Sequence, residues 1–174
     1  MAKSMKLPVA LALVVGIVGG ILTWLYVGPL SGLGLFVPAT FIAAASFFAA
    51  GGDVEGLKKS VAANVWGVIW GTIALIGIGL VSGPVMIGVV VGGATVLMIL
   101  GALLPALSFV PGMVLGLATT AGFGLLSKAS GTDFSLPTGP FTVVLISVLI
   151  GAAYGYAGSL MVGKMMTSTS KAAA

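Results

Sequence analysis

The chain has 174 residues, 59% hydrophobic and 6% charged, with seven basic residues against three acidic ones and a formal net charge of +4. A soluble domain carries roughly 25% charged residues, so this composition excludes a water-wetted surface and predicts an all-α membrane protein solvated by lipid. Cysteine, histidine and arginine are absent, which excludes disulfides, thiol nucleophiles and imidazole chemistry; no metal or cofactor is expected.

Six spans are expected in chain order. Lys3 and Lys6 precede an apolar run over 7–27 that superficially resembles a secretory leader. That run is long enough to cross a bilayer and more spans follow, so a retained first helix is expected. Its outer end carries Trp24 and Tyr26, rings that favour the headgroup level. The second span, 35–51, opens on Phe36-Val-Pro38. Asp53, Glu55, Lys58 and Lys59 then read as a solvated turn before the third span, 61–81. Ser82-Gly83-Pro84 is the only punctuation before the fourth, 84–104, and a Gly-Pro pair marks a tight reversal. The fifth, 108–126, opens on Phe109-Val-Pro111, and a loop from Lys128 leads to the sixth, 140–163. Fusing the third and fourth would demand one helix of more than about 40 residues, or leave Lys164 and Lys171 on the far side. With six spans and a cytoplasmic N-terminus, Lys3, Lys6, Lys58, Lys59, Lys164 and Lys171 lie inside and only Lys128 outside. This positive-inside bias puts both termini in the cytoplasm, and residues 1–174 are expected to form one membrane domain.

The halves 7–81 and 82–163 resemble each other. The segment Phe36–Gly51 aligns without gaps to Phe109–Gly124, 73 residues on, and Gly19-Gly20 meets Gly92-Gly93 at the same offset. After an insertion of 11 residues in the loop before Pro140, Gly67-Val-Ile-Trp70-Gly71 meets Gly151-Ala-Ala-Tyr154-Gly155. Three helices per copy make such a duplication an inverted repeat; chance alignment of low-complexity apolar sequence is the competing explanation. Pro38 and Pro111 predict helix starts at matching places in the two shortest spans, and short, Gly- or Pro-broken segments in corresponding halves point to a translocation site.

The spans contain no formal charge. Pro38, Thr40, Ser46, Asn64, Pro111, Thr119 and Thr120 are the candidate lining of a narrow pore for a small neutral solute. A hydroxyl returning its hydrogen bond to its own helix is the plainer explanation for most of them. Small-xxx-small pairs recur at Gly16/Gly20, Gly67/Gly71, Gly79/Gly83, Gly88/Gly92, Gly112/Gly116 and Gly151/Gly155, and predict close helix packing within the chain or between copies in a homo-oligomer. Trp66 and Trp70 share one face and suit a lipid anchor, an interface or a constriction.

Thr23-Trp-Leu-Tyr-Val-Gly-Pro-Leu-Ser-Gly32, the stretch Phe48–Asp53 leading to Glu55-Gly-Leu-Lys-Lys59, and Asn64-Val-Trp-Gly-Val-Ile-Trp-Gly71 resemble domain of unknown function family 1097. The resemblance covers most of the chain and implies a small polytopic bacterial inner-membrane protein, with no activity or functional residue attached. Two functions remain after the sequence: a channel or facilitator for a small neutral solute, and a structural or accessory subunit packing against a partner through glycine faces. An enzyme is not expected, because no intramembrane acid, histidine or cysteine is there to act as base or nucleophile.

Overall fold

A computed structural model describes residues 6–171, with side chains to Met166. Among these residues the chain folds into six α-helices and no strands: α1 Leu7–Val27, α2 Val37–Ala49, α3 Val54–Gly79, α4 Pro84–Leu100, α5 Val110–Ser127 and α6 Pro140–Lys171. Five of the helices are long and apolar enough to cross a membrane; α2, with 13 residues, is shorter. Of the lysines used to orient the chain, Lys3 and the side chain of Lys171 lie outside the described residues.

Proline sets the helix starts. Pro8, Pro38, Pro84, Pro111 and Pro140 each sit at a first or second helical position, where a missing N–H costs nothing and the ring holds φ near the helical value. At its N-terminus α3 extends seven residues beyond the predicted span 61–81. Hydropathy marks only the part in lipid, whereas the helix continues into the polar turn. There Asp53 caps it by accepting from the Gly56 N–H at 2.7 Å, and Glu55 pairs with Lys59 at 3.8 Å. Likewise α6 runs past residue 163 to Lys171.

The packing is crosswise. α3 lies mainly against α5 and α2 mainly against α6, while α1 rests on α6 and α4 on α3. Glycine permits the two closest crossings. A Cβ on Gly67 would collide with the Met113 carbonyl, and one on Gly151 with the Thr40 carbonyl. One turn on, Gly71 meets Leu117 and Thr120, as Gly155 meets Ala44 and Phe47. Met113, Leu117 and Thr120 stand 73 residues after Thr40, Ala44 and Phe47, the offset at which the two halves align. Gly112 and Gly116 also face α3, against Ala63 and the Asn64 carbonyl.

Of the expected small-xxx-small pairs, Gly16/Gly20 and Gly88/Gly92 close no contact within the described residues. No atom lies within 4 Å of a Cβ built on any of them, because α1 and α4 are peripheral helices and these faces turn outward. Gly79 and Gly83 are likewise unencumbered; Gly83 has φ +84 and makes the reversal before α4.

Tyr26 is also a correction. Trp24 is 61% exposed, as a headgroup-level ring would be, but Tyr26 is only 4% exposed and turns inward. Trp66 and Trp70 pack edge to face, with ring centroids 5.9 Å apart, beside a core of Ala63, Met98 and Met113. The Trp66 Nε1–H donates to the Met98 carbonyl at 3.0 Å, while the Trp70 Nε1–H is buried without a partner. Trp66→Phe should therefore cost about 1 kcal/mol and Trp70→Phe nearly nothing or a slight gain, measured by detergent-mixture unfolding.

Outside the spans, the Asp133 carboxylate accepts from the Ser135 N–H, the Ser135 hydroxyl and the Thr138 hydroxyl at 2.6–2.8 Å. Those hydrogen bonds, the Ser135 hydroxyl foremost, hold its pKa below the usual carboxylate value. A depressed carboxylate contributes its stabilisation above the unfolded pKa and loses it as pH falls through the folded one. The protection factor of the Ser135 amide, its exchange rate relative to the unstructured rate at the same pH, should accordingly hold at neutral pH and fall only in acid below the ordinary carboxylate range. Asp133→Asn should lower it at neutral pH as well.

Candidate intramembrane polar site

The helix α2 organises the buried polar groups. Its 13 residues rise about 20 Å, against roughly 30 Å of hydrocarbon, so a crossing at α2 would have to include non-helical backbone on its flanks. Such backbone is tolerated at that depth only where protein buries it or water reaches it. A polar group sits near each end of the helix.

Near its N-terminus Thr40 is buried and joins three helices. The Tyr26 hydroxyl lies 3.0 Å from the Thr40 hydroxyl, which donates to the Ser147 carbonyl at 3.2 Å. The Phe36 N–H, one of the unpaired donors at the start of α2, donates to the Ser147 hydroxyl at 2.9 Å, and that hydroxyl donates back to the Val143 carbonyl at 2.7 Å. Every one of these polar atoms has a partner. The network ties α1, α2 and α6 together.

Near the C-terminus of α2, Ser46 meets two side chains of α3. The Ser60 hydroxyl donates to the Ser46 hydroxyl at 3.1 Å, and the Asn64 Nδ2 donates to the same oxygen at 2.6 Å and to the Ser60 carbonyl at 2.8 Å. All three residues are buried, Asn64 to 1% exposure. Asn64 stands ten residues into α3 and is enclosed by protein. Its Oδ1 is buried with no hydrogen-bond partner. Ala39 and Ala43 of α2 form a buried apolar core with Val68 of α3 and Val144 and Val148 of α6, with Phe36, Phe123, Phe141 and Leu145 packed against it.

The sequence-predicted lining residues therefore fall in separate places. Thr40 belongs to the first network; Ser46 and Asn64 belong to the second. Pro38 and Thr119 share a crevice of about 230 Å³ between α2 and α5, with Ile42, Leu115 and Gly122. Thr120 packs on Gly71 and returns its hydrogen bond to the Gly116 carbonyl at 2.9 Å, as Thr119 does to Leu115 at 2.7 Å. Pro111 is exposed and reaches none of these groups. Sequence reasoning passed over Ser60 and assigned Tyr26 to the headgroups. The signal available for Ser60 was its spacing, one turn before Asn64 on the same helix face.

Comparison with known proteins adds the family. Residues 12–163 match "Protein of unknown function (DUF1097)". The chain is also similar to "Inner membrane protein YcdZ" of Escherichia coli (strain K12), at 33% identity over 156 residues that cover 88% of this chain and 84% of that one. No solved structure matches it.

Proposed function

The chain belongs to the DUF1097 family, and from that premise we propose that this multi-pass inner-membrane protein is a channel or facilitator for a small neutral solute and not an enzyme. One observation carries the reading: a helix too short to span, α2, has uncharged buried hydrogen-bonding groups near both ends and an apolar core packed against it. A pore of this kind offers hydrogen bonds without a charge to trap what passes. In this reading the arrangement is a closed state, which opens when α2 moves against Val144 and Val148 of α6. Crosswise packing of the halves supports the same reading. Exchanging α1–α3 for α4–α6 maps the α3 and α5 crossing onto that of α6 and α2, as an inverted pair of three-helix units would.

Purified protein in liposomes is expected to raise permeability to water, urea or ammonia above that of empty vesicles in stopped-flow light scattering or pH-dye measurements. Equal rates across all three would remove the proposal. The outward-facing Gly16, Gly20, Gly88 and Gly92 favour a second reading, a subunit whose peripheral helices α1 and α4 dock a second copy or another membrane protein. A stoichiometric partner co-purifying in mild detergent, together with inert liposomes, would favour it.

A further inference from the structure

We propose that the Asn64 carboxamide is a binding site for a small uncharged hydrogen-bond donor, accepted on Oδ1 at the cluster where α3 meets α2. It deepens the facilitator reading and rests on it only where the bound molecule is also the one carried.

Three observations converge. The amide orientation is set by the Ser60 carbonyl, which can only accept and lies 2.8 Å from Nδ2; turning the amide over would set two carbonyl oxygens against each other. The Oδ1 therefore remains the atom without a partner in a residue 1% exposed. A buried acceptor left unsatisfied is costly and in native proteins is ordinarily met by a protein donor or a bound molecule. No donor among the described residues reaches it.

The second observation is that helix packing does not require the cluster. At the offsets that align the halves, the counterparts of Ser46, Ser60 and Asn64 are Thr119, Val144 and Val148. Both valines are buried, to 0% and 1% exposure, and both belong to the apolar core. The same crosswise geometry is thus built with valine in one half and with serine and asparagine in the other. A third is chemical selectivity. An amide oxygen accepts from water, ammonia, or an N–H of an amide such as urea, and it offers no counter-charge to a cation or anion.

Asn64 is the only asparagine, and glutamine is absent, so asparagine carrying 13C at its side-chain carbonyl reports on this one atom. In lipid vesicles, solid-state NMR is expected to show magnetisation passing from water, or from added 15N-urea, to that carbon. Stopped-flow permeability of the same vesicles provides the second readout. Transfer with raised permeability supports both site and facilitator, the probe that transfers identifying whether water or solute occupies the site. Transfer without permeability supports the site and overturns the facilitator. Absence of transfer from either probe overturns the site, whatever the permeability. Asn64→Leu is expected to lower the permeability roughly tenfold, the scale of one ordinary hydrogen bond. Should that variant fail to fold, the labelled native protein still decides.

Discussion

Gly67→Leu is expected to destabilise the protein by about 3 kcal/mol or more, because the α3 and α5 backbones meet where its Cβ would stand. A Cβ at residue 67 lands on the Met113 carbonyl and within 2.9 Å of the Gly116 Cα, both backbone atoms that no rotamer change can move aside. Overpacking of a tight contact costs roughly 1–3 kcal/mol when side chains can yield, and more when helices must separate. Gly151→Leu should behave alike, since it meets the Thr40 backbone and the Ala43 Cβ at the other crossing. Gly88→Leu provides the contrast: with nothing within 4 Å of its Cβ, stability should change by less than about 0.5 kcal/mol. Unfolding in mixed micelles of denaturing and mild detergent, followed by circular dichroism, reads all three. Equal losses at Gly67 and Gly88 would show that the crosswise packing is not what holds the bundle.

The second large effect is expected in the Ser46, Ser60 and Asn64 cluster. Ser46→Ala removes the oxygen on which the Ser60 hydroxyl and the Asn64 Nδ2 converge, leaving two buried donors short of a partner. The cost should be about 1–3 kcal/mol, the range for stranding a buried polar group. Asn64→Leu should cost a similar amount alone. Combined, the two should cost clearly less than their sum, because each strands groups that the other removes. Simple additivity in a double-mutant cycle would mean that the groups act independently and that the 2.6 Å bond carries no coupling. The same cycle at Thr40 and Tyr26 probes the α1 to α2 tie, whose hydroxyls lie 3.0 Å apart.

Much of the fold is legible in the order of residues, for a reason specific to membranes. Lipid offers no hydrogen bonds, so an apolar run must close its own backbone as helix, and proline and glycine then mark where each helix starts and turns. Five helix starts coincide with a proline at the first or second position. Boundaries facing water were less legible. Asp53, read as a solvated turn, caps α3, because capping depends on local backbone geometry that hydropathy does not weigh.

The polar site was legible only in part. Thr40, Ser46 and Asn64 stand out as polar groups in apolar runs, but the grouping differs from the single lining that a repeat suggests. Tyr26 and Ser147, 121 positions apart in the chain, both meet Thr40, while Pro111 stands exposed at the outside. Nothing local distinguishes Gly67 from Gly88 either: both open a Gly-xxx-Gly pair in an apolar helix, yet one sits under another backbone and the other under none.

Composition and punctuation alone determined that the chain lives in lipid, how many helices it makes and about where each begins, since those follow from solvent and backbone chemistry residue by residue. Which helix crosses which, which glycines are covered, and that the Asn64 oxygen ends without a donor among the described residues while its amide nitrogen donates to Ser46 and Ser60 were decided only by the tertiary structure. These depend on the rotation of each helix about its own axis, which in a bilayer is set by neighbouring helices, because lipid solvates every apolar face equally well.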